Sequence, residues 1–76
     1  MPSFKVYGNR PDDGPSPIEA KAVQDDLDEK HPTWQLEMVC TEQETVYTSN
    51  TAPASELGKA LKDAFPPNYT VVEIPS

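Results

Sequence analysis

Two periods of hydrophobic residues run through this chain. In four short segments apolar and polar residues alternate, which indicates strands with one buried face. In two longer segments apolar residues recur every three or four positions, which is typical of amphipathic helices. The pattern predicts strands at residues 3–8, 33–41, 44–49 and 69–75, and helices at residues 17–30 and 53–65.

The order of these segments is strand, helix, strand, strand, helix, strand. With right-handed crossovers, this order predicts an α+β fold of the ferredoxin-like, split β-α-β type. That fold is a four-stranded antiparallel sheet with both helices on one face and with the first and third strands in the centre. We predict a single small acidic domain over residues 1–76, because this length supports one hydrophobic core. The other face of the sheet is left uncovered.

The first helix has clear signals at both ends. Ser16 stands at the expected N-cap, Pro17 follows at the first helical position, and Glu19 completes a capping box. His31 and Pro32 end the helix, because a residue before proline is displaced from the helical region. The inward stripe is predicted to comprise Ala20, Val23 and Leu27, widened by Ile18 and Ala22.

The second helix has a regular apolar face and a glycine inside it. Gly58 costs about 1 kcal/mol relative to alanine in a helix interior. The pair Pro66 and Pro67 ends the helix. Two prolines and an Asp-Gly pair make residues 10–15 a predicted loop.

Alternation also predicts which side chains occupy the uncovered sheet face. The inward set is predicted to be Phe4, Val6, Trp34, Leu36, Met38, Cys40, Val46, Val72 and Ile74. The uncovered face would then carry all three tyrosines, Tyr7, Tyr47 and Tyr69, together with Glu37. Tyrosine is enriched in binding hot spots, so this face is a candidate for partner binding. Opposite parity in some strands would instead make the tyrosines half-buried rim residues.

Charge excludes one large class of function. Thirteen acidic and six basic side chains give a net charge of −7, whereas nucleic-acid affinity comes largely from Lys and Arg on phosphates. We therefore expect no direct contact with nucleic acid. A compact acidic domain offers a charge pattern that attracts a basic protein surface. High-salt adaptation is a rival explanation of the acidity that needs no partner.

Four carboxylates crowd the end of the first helix: Asp25, Asp26, Asp28 and Glu29. Each faces the negative end of the helix dipole at a typical cost of about 0.3–1 kcal/mol. Leu, Ile, Val and Phe together make up about one fifth of the chain, so we expect its free energy of unfolding to be small. A domain of low stability that keeps carboxylates at an unfavourable position is expected to use them. We therefore predict that these four carboxylates bind a basic surface of a partner.

Residues for catalysis or metal binding are sparse. Cys40 belongs to an inward strand face, where thiols are usually inert, and His31 has no second ligand near it. We predict no catalytic residue, metal or cofactor. The chain has no apolar run long enough to span a bilayer and no secretory leader pattern, so we expect a cytoplasmic location without membrane contact.

These observations predict a non-enzymatic protein-binding module, an inhibitor or adaptor of the kind viruses encode, that competes for a basic nucleic-acid-binding surface. One alternative is a regulatory or self-assembling domain that forms a homodimer through its open sheet face. Another is a small enzyme. Pro2 followed by a strand resembles the start of the 4-oxalocrotonate tautomerase family, which implies an amino-terminal proline as base. Those enzymes hold their substrate with arginines, and Arg10 is the single arginine here.

Overall fold

The chain folds into one open antiparallel sheet with two helices, in the order β-α-β-β-α-β, a ferredoxin-like arrangement. The computed structural model describes residues 2–8, 14–41 and 43–74. Most of the predicted loop 10–15 and residue 42 lie outside these ranges. The strands are β1 (Ser3–Tyr7), β2 (Glu37–Cys40), β3 (Glu44–Thr48) and β4 (Thr70–Ile74), and the helices are α1 (Pro17–Lys30) and α2 (Ala54–Ala64).

The strand order in the sheet is β2-β3-β1-β4, so β1 and β3 are central as predicted. Pairing is antiparallel and continuous, with Phe4 opposite Tyr47 on one side and Glu73 on the other. Val6 lies opposite Thr45 and Val71 in the same way. Since residues opposite one another share a sheet face, these pairs fix which side chains lie beneath the helices.

The predicted parity is wrong for β3 and β4. Tyr47 faces the helices and is fully buried, whereas Val46 lies on the open face. In β4, Val72 and Ile74 lie on the open face, although we predicted that both point inward. Each strand has apolar residues on both parities, so alternation alone does not decide between them. Pairing with β1 decides it, because Phe4 and Val6 face the core.

Strand β2 is shorter than predicted. Pro32–Trp34 forms a 3-10 turn after α1, and Gln35 then adopts a left-handed conformation with φ 51°. The predicted alternation survives this change, because Trp34 and Leu36 are buried and Gln35 is exposed. The Gln24 side chain donates a hydrogen bond of 2.9 Å to the Leu36 carbonyl, which ties the segment to α1.

Helix α1 begins and ends at the predicted residues. The Ser16 hydroxyl accepts a hydrogen bond from the Glu19 backbone N–H at 3.1 Å, as expected of an N-cap. The buried stripe consists of Ala20, Val23 and Leu27. The predicted widening of this stripe is wrong: Ala22 is exposed, and so is Ile18. Both lie on the side of the helix opposite the buried stripe.

Helix α2 packs more closely on the sheet. Leu57 and Leu61 are fully buried, and a Cβ atom at Gly58 would lie 2.9 Å from the Phe4 ring. Gly58 therefore lowers the helix propensity of α2 but allows the helix to approach β1 closely. Phe65 is extended at the end of the helix, as expected for a residue before Pro66.

The β2–β3 turn is closed by a threonine instead of an Asn-Gly pair. The Thr41 hydroxyl accepts hydrogen bonds from the backbone N–H groups of Gln43 and Glu44, and the Thr41 N–H donates to the Glu44 carbonyl at 2.8 Å. These bonds set the hairpin register. Within the described ranges, neither helix is long and apolar enough to cross a bilayer.

Candidate protein-binding surface

The solvent side of α1 carries a continuous row of exposed side chains. Ile18, Ala22, Asp25 and Glu29 are spaced so that they form one line along the helix, and we call this line the outer stripe. Ile18 is 85 % exposed at its amino-terminal end. The stripe thus joins an apolar contact at one end to carboxylates at the other.

The carboxylates at the end of α1 are only partly neutralised. Lys21 lies 3.7 Å from Asp25, and Lys30 lies 3.1 Å from Asp26. Both pairs are largely exposed, where ion pairs contribute little. Within residues 14–41 and the other described ranges, Asp28 and Glu29 form no ion pair. The carboxy-terminal end of α1 therefore presents excess negative charge to solvent.

Hydrogen bonds to α1 hold the outer stripe in place. The Tyr47 hydroxyl donates a bond of 2.6 Å to the Ala20 carbonyl, inside the core. Burial raises the pKa of this hydroxyl well above its usual value, and the nearby Cys40 and Glu19 side chains raise it further. The proton that binds the Ala20 carbonyl is consequently retained to high pH.

The three tyrosines do not share a face, which corrects the predicted cluster. Tyr7 lies on the open face, and Tyr47 is buried on the covered face where no partner reaches it. Tyr69 is half-buried, packs edge-on against Phe65, and has its hydroxyl 3.4 Å from a Glu19 carboxylate oxygen. The Glu19 side chain therefore contacts Tyr69, a role that the capping-box pattern did not indicate.

The open sheet face is apolar in its middle row. This row contains Val39, Val46, Lys5 and Val72, which pair across the four strands. The Lys5 ammonium lies 5.3 Å from the centroid of the Tyr7 ring, within cation–π distance. Glu37 is exposed on the same face, as predicted. This face offers three valines, Ile74 and one tyrosine, in place of the three tyrosines that were predicted.

The remaining predicted residues have structural contacts. Cys40 is half-buried and accepts a hydrogen bond from the Thr45 hydroxyl at 3.2 Å. His31 stacks on Trp34 with the ring centroids 3.8 Å apart. The Pro2 carbonyl accepts a hydrogen bond from the Ser49 N–H, and Arg10 lies outside the described ranges. Among the residues the structure describes, no group of His, Cys, Asp and Glu side chains could hold a metal ion.

Sequence reasoning missed a polar link behind the candidate surface. The fully buried Ser49 hydroxyl donates to the Trp34 carbonyl at 2.7 Å and accepts from the Ala52 N–H at 2.9 Å. The Thr51 hydroxyl donates to the Thr33 carbonyl at 2.6 Å. These bonds join the start of α2 to the turn after α1. The only sequence signal was the cluster of small polar residues at 48–51, three of which carry hydroxyl groups.

The two helices differ in net charge. Helix α1 carries five carboxylates and two lysines, whereas α2 carries two of each. The acidic surplus of the helical layer therefore belongs to α1.

No protein-family model, curated protein or solved structure matches this chain, so the geometry of its own residues is what supports a function.

Proposed function

We propose that this chain is a small acidic, non-enzymatic protein-binding module that docks the outer stripe of α1 on a basic surface of a protein partner. Its function is that of an inhibitor or adaptor, because an acidic helix on such a surface competes with the nucleic acid that the surface would otherwise bind. One observation carries the proposal: the carboxylate of Glu29, unpaired among the described residues, and the 85 % exposed side chain of Ile18 share the solvent side of one helix, with the other carboxylates of α1 near them.

Ile18 is the expected anchor of the complex. Full burial of an isoleucine side chain contributes about 1.5–3 kcal/mol, whereas an exposed ion pair contributes about 0.2–1 kcal/mol. Since Ile18 is almost fully exposed in the free chain, nearly all of this burial remains to be gained on binding. Truncation of Ile18 should therefore weaken binding more than neutralisation of any single carboxylate.

The carboxylates are expected to act on association rate and specificity. Asp28 and Glu29 have no intramolecular partner among the described residues, so a partner's Lys or Arg gains contacts without displacing an existing ion pair. Charge complementarity of this kind accelerates encounter and weakens with salt. The module should consequently bind a basic partner at low ionic strength and release it at high ionic strength.

The test is capture of partners from a lysate of the cell of origin by the immobilised chain, at about 0.05 M and about 1 M salt. Two double variants are compared with the original chain. Asp28→Asn with Glu29→Gln removes two charges from α1, and Glu56→Gln with Asp63→Asn removes two from α2. None of these four residues forms an ion pair in the described part of the chain, so the variants differ in location and not in net charge.

The expected result is a basic protein that is retained at low salt, released at high salt, lost from the α1 variant and kept by the α2 variant. Equal loss from both variants would show that total charge matters and the location of the carboxylates on α1 does not. Retention that is indifferent to salt would contradict the electrostatic part of the proposal. Once a partner is purified, Ile18→Ala should reduce its affinity by about tenfold or more.

A further inference from the structure

Strand β4 is an open edge of the sheet. It is five residues long, pairs with β1 residue for residue, and contains neither proline nor lysine nor a bulge. Those features normally protect sheet edges from pairing with another chain. The opposite edge, β2, has four residues and follows the left-handed Gln35. Alternate residues of β4 direct their backbone N–H and C=O groups outward, where a further strand would bind them.

A groove of about 600 Å³ lies along α2 at this edge of the sheet and meets β4 at Glu73. The Phe4 ring and Gly58 lie at its apolar floor, and the side chains of Lys59, Lys62 and Asp63 line its α2 side. Helix α2 follows the groove from Ala54 to Asp63, a length of roughly 14 Å, which is close to the length of a five-residue strand. A strand added to β4 would therefore direct the side chain opposite Glu73 toward this groove.

Glu73 restricts which strand can bind there. It is the single charged residue of β4, it lies on the covered side of the sheet and it lines the groove. An inward-pointing charge on an edge strand opposes pairing unless the added strand or its surroundings supply the opposite charge. Lys59 and Lys62 supply it, because neither forms an ion pair in the described residues.

We propose that the added strand is β4 of a second copy, so that two chains form one continuous eight-stranded sheet around a two-fold axis at Val72. Antiparallel pairing about this residue sets Val72 opposite its own symmetry mate. It also sets the second copy's Val71 beside Glu73 over the Phe4 and Gly58 floor. The second copy's Glu73 then lies farther along the groove, beside the Lys59 and Lys62 side of α2.

The pairing is isologous, so each copy supplies the same edge, groove and charges. The lysines of each α2 complement the Glu73 carboxylate of the other chain. The Val71 side chain of each copy displaces water from the Phe4 and Gly58 floor of the other copy's groove. The two α2 helices lie side by side on the same face of the joined sheet. The α1 outer stripe is outside this interface, so self-association and binding of a basic partner are independent.

The test is sedimentation analysis of the purified chain over a concentration series up to about 1 mM, a range that detects even weak association. We expect the mass to rise from 8.4 kDa to twice that value. Val72→Lys places two ammonium groups opposite each other at the two-fold axis and should weaken association by about tenfold or more. Val39→Lys is the matched control, because Val39 is an exposed valine in the same row of the open face on the other edge strand.

Mixing of two charged variants tests the register. Val72→Lys and Val72→Glu should each associate more weakly than the original chain when alone and should form a heterodimer when mixed in equal amounts, with circular dichroism confirming that both are folded. If the original chain is monomeric, the proposal is overturned. A strand of another protein would then be the occupant of the β4 edge. Equal loss of association in Val39→Lys and Val72→Lys overturns it in favour of contact through the open face. A mixture that stays monomeric overturns the two-fold axis at Val72.

Discussion

Helices α1 and α2 lie on the same face of the sheet but are attached to it by different interactions. Helix α2 is held by apolar packing: Leu57 and Leu61 are fully buried, and a Cβ atom at Gly58 would lie only 2.9 Å from the Phe4 ring. Helix α1 has a narrower apolar stripe and is also held by hydrogen bonds, from Tyr47 to the Ala20 carbonyl and from Gln24 to the Leu36 carbonyl.

This difference separates the folding role of α2 from the binding role proposed for α1. The sheet-facing side of α2 is committed to the core, so changes there alter stability first. The hydrogen bonds fix the position of α1, while its outer side makes only exposed ion pairs within the helix among the described residues. A domain with little apolar material can thus expose an isoleucine and unpaired carboxylates on α1, because α2 supplies much of the packing.

Truncating one apolar side chain on each helix should give the largest difference in stability between two variants. Leu61→Ala in α2 should lower the free energy of unfolding by about 2–5 kcal/mol, because it leaves a cavity in the core. Ile18→Ala in α1 should change it by less than about 0.5 kcal/mol, because Ile18 is already in solvent. Urea unfolding followed by Trp34 fluorescence measures both values. Similar losses in the two variants would contradict the contrast between the helices.

Exchanging glycine and alanine tests packing against helix propensity. Gly58→Ala should destabilise the fold by about 1–3 kcal/mol, although alanine is the better helix former, because the new methyl group meets the buried Phe4 ring. Ala22→Gly on the exposed side of α1 should cost about 1 kcal/mol through propensity alone. Thermal unfolding checks both. A stabilising Gly58→Ala change would show that α2 is not closely packed on β1.

Removing the Tyr47 hydroxyl tests the polar attachment of α1. Tyr47→Phe should cost about 1 kcal/mol at neutral pH, because the Ala20 carbonyl loses its donor. The folded chain raises the pKa of Tyr47, so this group's contribution to stability is complete below its unfolded pKa of about 10 and is lost as pH rises above it. Unfolding curves between about pH 8 and pH 11 should therefore decline less steeply for Tyr47→Phe than for the original chain. Parallel declines would contradict this assignment.

Replacing one glutamate by lysine on each helix should give the smallest changes in stability, with opposite signs on the two helices. Glu29→Lys in the last turn of α1 should raise stability by about 0.3–1 kcal/mol, because a cation there complements the helix dipole. Glu56→Lys in the first turn of α2 should lower it by a similar amount for the same reason. Both shifts should shrink at about 1 M salt. Shifts of the same sign would mean that net charge outweighs the dipole.

Much of the fold was predictable because its signals are local. The Ser16 cap, the prolines after each helix and the two apolar periods fixed the element order and the bounds of α1. The shortened β2 was not predictable, because alternation of Trp34 and Leu36 continues through a 3-10 turn and a left-handed Gln35. For the candidate site, only the placement of side chains is decided: the carboxylates of α1 lie on its surface, whereas the expectation that three tyrosines share the open sheet face is wrong.

The sequence by itself determined the order of the elements, the ends of α1 and the concentration of negative charge on that helix, since each depends on neighbours a few residues away. Only the tertiary structure decided which faces of β3 and β4 point inward, where Tyr47 lies, and that β4 and α2 form a groove. These depend on pairing with β1 and on a hydrogen bond from Tyr47 to the Ala20 carbonyl, far away in the chain. A period of two specifies that a strand has two faces, and only the neighbouring strand specifies which one is buried.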